Sequence, residues 1–168
     1  VQRPENPNFL SPIGFTFKVM RLPNVNFFVQ SCTLPSTSVS FVEFQNPFNK
    51  ITRPSKMQFS DFELTFKIDE DFNNYLEIHK WMEGLGFPDE FAQHAKLRAQ
   101  PTGFGEMSDC SLVVLSSAKN ANMQVLFKDA FPIELTSVNF DSTDEDVNYV
   151  TATCTFRCLR FEISKVEG

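Results

Sequence analysis

The sequence predicts a mainly β protein, antiparallel in its strands, with one flanking α-helix. Apolar and polar residues alternate over many short stretches, which is the period of a half-buried strand. Phe accounts for 20 of 168 residues, against one Trp and two Tyr, and aromatic side chains suit broad sheet faces and subunit contacts. Only one long stretch, after Ile68, repeats its apolar residues at helical spacing.

Val1 to Pro12 carries Pro4, Pro7 and Pro12 and reads as an irregular arm, leaving residues 13–168 as a single β domain. Ile13, Phe15, Phe17 and Val19 alternate with Gly14, Thr16, Lys18 and Met20 as a first strand, and Pro23-Asn24 turns the chain into a second, Val25 to Thr33, completing a hairpin. A short strand over Val39 to Phe44 precedes a basic excursion, Gln45 to Lys56. Its Pro47, Phe48, Asn49, Lys50, Ile51, Arg53 and Lys56 place apolar side chains among cations, as an interaction loop does.

Met57 to Ile68 is the clearest strand. Phe62, Leu64, Phe66 and Ile68 point to a core and Asp61, Glu63, Thr65 and Lys67 point away. Asp69-Glu70-Asp71 opens the helix, because acidic groups oppose the positive end of the macrodipole. Its apolar stripe runs through Phe72, Tyr75, Leu76, His79 and Met82, so Phe72 and Leu76 join the predicted core, and Gly84, Gly86 and Pro88 end it. Phe91 to Ala99 is compatible with a short helix, and Pro101 to Met107 reads as a loop. Strands follow over Cys110 to Ala118, Met123 to Lys128, Phe131 to Phe140 and Tyr149 to Ile163, an antiparallel meander. The apolar phase switches between Leu135 and Val138, the mark of a bulge or of a strand changing sheets. The last strand sets Val150, Ala152, Cys154, Phe156 and Cys158 on its inner side and Thr151, Thr153, Thr155 and Arg157 on a polar, wetted side.

Composition excludes several functions. A formal net charge of -6 argues against a reader of nucleic acid, which gains affinity by neutralising phosphates. No apolar run reaches the length of a membrane span, and no basic segment with an apolar stretch marks a secretory signal, although the absent initiator Met allows a trimmed start. Cys32, Cys110, Cys154 and Cys158 form no C-x-x-C pair and have no His at zinc spacing, so reduced, buried thiols are expected and no metal or cofactor. Cys154 and Cys158 would stand roughly 13 Å apart along a straight strand, beyond disulfide reach. Gly103-Phe104-Gly105 lacks the strand-turn-helix surroundings of a phosphate cradle. The acidic turn Asp141 to Asp146 lacks the Gly and closing Glu of a calcium loop and reads as a solvated hairpin tip. Asp61 and Glu63 lie about 7 Å apart on one strand face without the aromatic platform a glycosidase would supply, and His79 has no acid-base partner nearby, so no enzyme is expected.

Three features in order carry a resemblance: Ser31-Cys32-Thr33-Leu34-Pro35, then Phe48-Asn49-Lys50-Ile51 leading into Phe59-Ser60-Asp61-Phe62-Glu63-Leu64-Thr65-Phe66, then the helix closing at Lys80-Trp81. With Lys128-Asp129-Ala130-Phe131-Pro132-Ile133 and Phe161-Glu162-Ile163, the order resembles the tail tube proteins of T-even-type contractile phages. The resemblance implies a small antiparallel β-barrel or sandwich with one helix, six copies to a ring, and rings stacked as a tube in the virion tail, assembled in the host cytoplasm. Its partners would be further copies, sheath and baseplate proteins, with DNA only in transit. Asp61, Glu63, Thr65, Lys67, Thr151, Thr153, Thr155 and Arg157 would line the channel, and the loop Pro47 to Lys56 would touch the adjacent ring. A tube-initiating baseplate or tail-end protein shares that fold, and a ligand-binding β-barrel, its Phe lining an apolar pocket, is a different reading of the same composition.

Overall fold

The computed structural model describes residues 9–86, 89–99, 105–143 and 148–166. In chain order the elements are β1 (Phe15–Val19), α1 (Pro23–Phe27), β2 (Val29–Cys32), β3 (Thr37–Gln45), β4 (Lys50–Phe59), β5 (Phe62–Lys67), α2 (Asn73–Gly86), α3 (Phe91–Arg98), β6 (Ser108–Leu115), β7 (Ala121–Leu135), β8 (Thr151–Arg157) and β9 (Arg160–Lys165). Among the described residues seven strands are hydrogen-bonded in the order β1-β6-β7-β8-β5-β2, with β9 also on β7, while β3 and β4 pair only with each other. Among the described residues the path has open ends, so of the expected barrel or sandwich these strands form the open, sandwich-like arrangement.

The architecture turns on β7. Its first part pairs with β6 and β9, and from Phe131 onward it pairs with β8. One 15-residue strand thus serves two sheets. The bend sits where Asp129 adopts φ 52 and donates its backbone N–H to Asp109 Oδ1 at 3.2 Å. Expected as a turn between two strands, this segment is instead a bent continuation, and the change of sheet comes before Phe131, well ahead of Val138.

The two sheets face one another across a Phe core. Phe127, from the β6-β7-β9 side, stacks on Phe62 at 4.5 Å, and Phe62 stacks on Phe156 at 5.4 Å. Phe17 completes the cluster. Phe62, Leu64, Phe66, Cys154 and Phe156 are fully buried, so these aromatics fill the interior and do not line a ligand cavity there. Ile68 and Phe72 are half-buried.

Several expected elements differ. Val25 begins inside α1, because Pro23 suits a first helical turn, and the hairpin expected of the first two strands does not form: β1 pairs with β6 and β2 with β5. Met57 to Ile68 breaks at Ser60-Asp61 into β4 and β5, which lie in different sheets. The last strand breaks at Cys158-Leu159, so that β9 returns to β7. Among the described residues there are three helices and not one.

The chief helix begins later and faces differently than expected. Its first turn holds no acidic residue. Asn74, fully buried, ties the start of α2 to the end of β5: its Nδ2 donates to Lys67 O at 2.7 Å and its Oδ1 accepts from Tyr75 N–H at 2.8 Å. Phe72, at φ 63, stands just outside the helix. The buried face is Asn74, Ile78, Trp81 and Gly84. Leu76, expected in the core, is 41% exposed, and His79 is exposed beside Glu83. The stripe lies one position off because a buried Asn and a buried Gly take core positions that hydrophobicity assigns elsewhere.

Candidate functional site

Both predicted polar strand faces belong to one surface. β5 and β8 are neighbours, with Glu63 opposite Thr155, Thr65 opposite Thr153 and Lys67 opposite Thr151. Since Phe62, Leu64 and Phe66 occupy the alternate positions and are buried, period-two geometry puts the named residues on the opposite face. Thr65 Oγ1 and Thr153 Oγ1 share a hydrogen bond of 3.0 Å across the strands. The Arg157 guanidinium grips Asp61 with two bonds, Nε to Oδ1 at 2.8 Å and Nη2 to Oδ2 at 2.9 Å. That hydrogen bonding holds the Asp61 carboxyl below the usual carboxylate range. Lys67 Nζ lies 4.8 Å from the centre of the Tyr149 ring. The wall is therefore hydroxyl-rich, with its cations already engaged.

The two margins of this wall are terminated alike. At the β2 margin Thr33 N–H donates to Glu63 O at 2.9 Å, and Thr33 Oγ1 accepts from Glu63 N–H at 2.8 Å. At the β7 margin Thr136 N–H donates to Thr153 O at 2.9 Å, and Thr136 Oγ1 accepts from Thr153 N–H at 2.9 Å. Neither alternation nor charge marks these two threonines as strand-end clamps in the sequence. Beyond them the outer edges of β2 and of β7 from Phe131 to Leu135 have no strand partner among the described residues.

The second surface is the β3-β4 hairpin. The basic segment expected as a loop is mostly strand: only Asn46 to Asn49 turn, closed by Asn46 N–H to Asn49 O at 3.0 Å. Every residue from Phe41 to Gln58 is exposed, including Pro47, Phe48, Asn49, Lys50, Ile51, Arg53 and Lys56. A register shift between Val39 and Phe41 sets Met57 and Pro54, three residues apart, on one side. Near the base, Val39, Phe41, Met57 and Pro54 share one face; near the tip, Val42, Phe44 and Ile51 share the other, and Glu43 and Lys50 pair at 2.9 Å. The contribution of β3 was legible in its alternation but was not joined to the loop.

The sequence matches the family described as "Phage tail tube protein" over residues 8–163. The chain belongs to the phage tail tube protein family. Solved structures of low identity share its fold. A chain from the sheath-tube complex of the extracellular contractile injection system PVC, in its extended state, matches with TM-score 0.68 and 17% identity, over 95% of this chain and 94% of that one. A chain from the PVC sheath/tube terminator matches at 0.62 and 17%, over 95% and 99%. One from the 6-fold symmetrised baseplate of the anti-feeding prophage matches at 0.61 and 10%, over 91% and 92%. No curated protein matches the sequence. The family points to a structural role and not to an enzyme's.

Proposed function

We propose that the chain is a self-associating subunit of the inner tube of a contractile tail. Copies stand side by side in rings of six, and rings stack around a channel. The observation that carries the reading is the pair of open edges, β2 and the far half of β7, at opposite margins of one four-stranded surface. An even number of strands, β2-β5-β8-β7, leaves the two edges running in opposite directions, so a neighbour in the same orientation adds antiparallel to each. Closing the ring pairs every edge and removes the aggregation hazard of an open one.

In that ring Asp61, Glu63, Thr65, Lys67, Thr151, Thr153, Thr155 and Arg157 face the channel, where bound-up cations and hydroxyls give DNA in transit nothing to grip. The β3-β4 hairpin, two-sided and uncovered, reaches the adjacent ring. The six-fold baseplate and the sheath-tube assemblies that share the fold support six copies and contacts with sheath and baseplate proteins, in the virion tail. Negative-stain microscopy of purified protein tests this: stacked rings are expected, single rings would make it a tube-end component, and monomers at every concentration would refute self-association.

A further inference from the structure

A groove of about 440 Å³ lies beside the open half of β7, lined by Met82, Leu85, Met107, Phe131, Pro132 and Ile133 among others. Ile133 sits at the register shift between Pro132 and Glu134 and is 37% exposed, as Met107 is 39%. The groove is on the core side of the sheet, since α2, which supplies Met82 and Leu85, also places Trp81 at 6.2 Å from the core ring of Phe156.

At the opposite margin one apolar side chain is held out. Leu34 follows β2 and is 52% exposed. Thr33, before it, is clamped to Glu63, and Pro35, after it, is buried. Ser36 N–H then donates to Ser60 Oγ at 2.8 Å, and Ser60 N–H to Ser36 O at 3.0 Å. Cys32 pairs with the buried Leu64, so Leu34, two residues on, continues the core-side parity. Fixed on both flanks, it loses little freedom on binding.

We infer that Leu34 of one copy seats in the Met82, Leu85, Met107, Ile133 groove of the next, an apolar lock behind the paired edges. The sheet register puts knob and groove at one height. Cys32, Leu64, Cys154 and Leu135 share a row, as do Phe62, Phe156 and Pro132. Leu34, beyond Cys32 in the direction of the Phe62 row, meets the row of Pro132 when two copies stand level. This rests on the ring reading above and adds the side-chain contact that selects the register of copies.

Cysteine cross-linking of the full chain tests it. Within one copy the two sites are separated by β5 and β8, three strand spacings or roughly 14 Å, too far for a disulfide. A Leu34→Cys, Ile133→Cys double variant, mildly oxidised, is expected to give a ladder of linked copies on a non-reducing gel, and either single variant none. Leu34→Asp is expected to keep the far-UV spectrum and melting temperature of the folded subunit while ring yield falls by about tenfold or more, the equilibrium equivalent of losing one buried leucine. Rings by microscopy with no ladder, or Leu34→Asp rings at normal yield, overturn the lock and leave the ring reading standing. Absence of rings in the unaltered protein overturns both.

Discussion

Single residues carry the stability of the sandwich. Phe62 touches Phe127, Phe156 and Phe17, so Phe62→Ala opens a cavity at the junction of both sheets and should cost about 3–5 kcal/mol in urea denaturation. Glu77 is different in kind. Asn24 Nδ2 donates to its Oε1 at 2.6 Å, while Oε2 is buried with no hydrogen-bond partner among the described residues. Burial pushes its carboxyl above the ordinary value, against the smaller effect of Asn24. The folded state then holds the proton more tightly than the unfolded one, so this group's contribution falls as pH rises from the unfolded value through the raised folded one. Glu77→Gln, which keeps the acceptor for Asn24, should flatten that part of a melting-temperature profile; an unchanged profile would contradict the assignment. Burial acts on the thiols in the same direction: it pushes Cys32 up to about 12 and raises Cys110, Cys154 and Cys158. Thiol reagents at mildly alkaline pH should react slowly with the folded protein and fast after denaturation. Sequence alone showed the alternating Phe and Cys of the core, since period two is local. It could not show Glu77 or Asn74, whose burial depends on where a helix from elsewhere in the chain comes to rest.

At the scale of elements, the strands that alternate cleanly were legible and their breaks were not. β5 and β8 carry their faces in plain alternation, whereas the bend of β7 at Asp129 and the break at Cys158-Leu159 arise because a second sheet must be joined. The α1 turn reads as strand because Val25, Phe27, Phe28 and Val29 are β-formers, and Pro23 with packing of Val25 outweighs that propensity. Where α2 meets α3 the fit is close: a Cβ on Gly84 would lie 2.9 Å from Leu97 Cβ. Gly84→Ala should therefore lower stability by about 1–3 kcal/mol despite better helix propensity, a loss that urea denaturation would read. The β3-β4 hairpin calls for the opposite outcome. Phe48→Ala with Lys50→Ala changes only exposed residues, so thermal melting should hold while sedimentation shifts from tubes to smaller species. Tubes of normal length in that variant would assign the hairpin another role.

For the whole molecule, the ordered resemblance in the sequence and the family match agree on a tail tube protein, and the structure adds which edges and faces are free. The eight polar residues named from alternation fall on one continuous wall because β5 and β8 are neighbours, a fact of topology that pattern within each strand does not contain. Of the barrel or sandwich expected, the described residues form the sandwich: the four-stranded surface has unpaired edges at both margins, and in the proposed ring closure comes from neighbouring copies. Cryo-electron microscopy of assembled material tests that claim most directly. Rings are expected in which β2 of one copy pairs with the Phe131 to Leu135 segment of the next and the Thr65, Thr153, Arg157 wall faces the channel. Rings with that wall turned outward, or with β2 and β7 edges left unpaired, would contradict it.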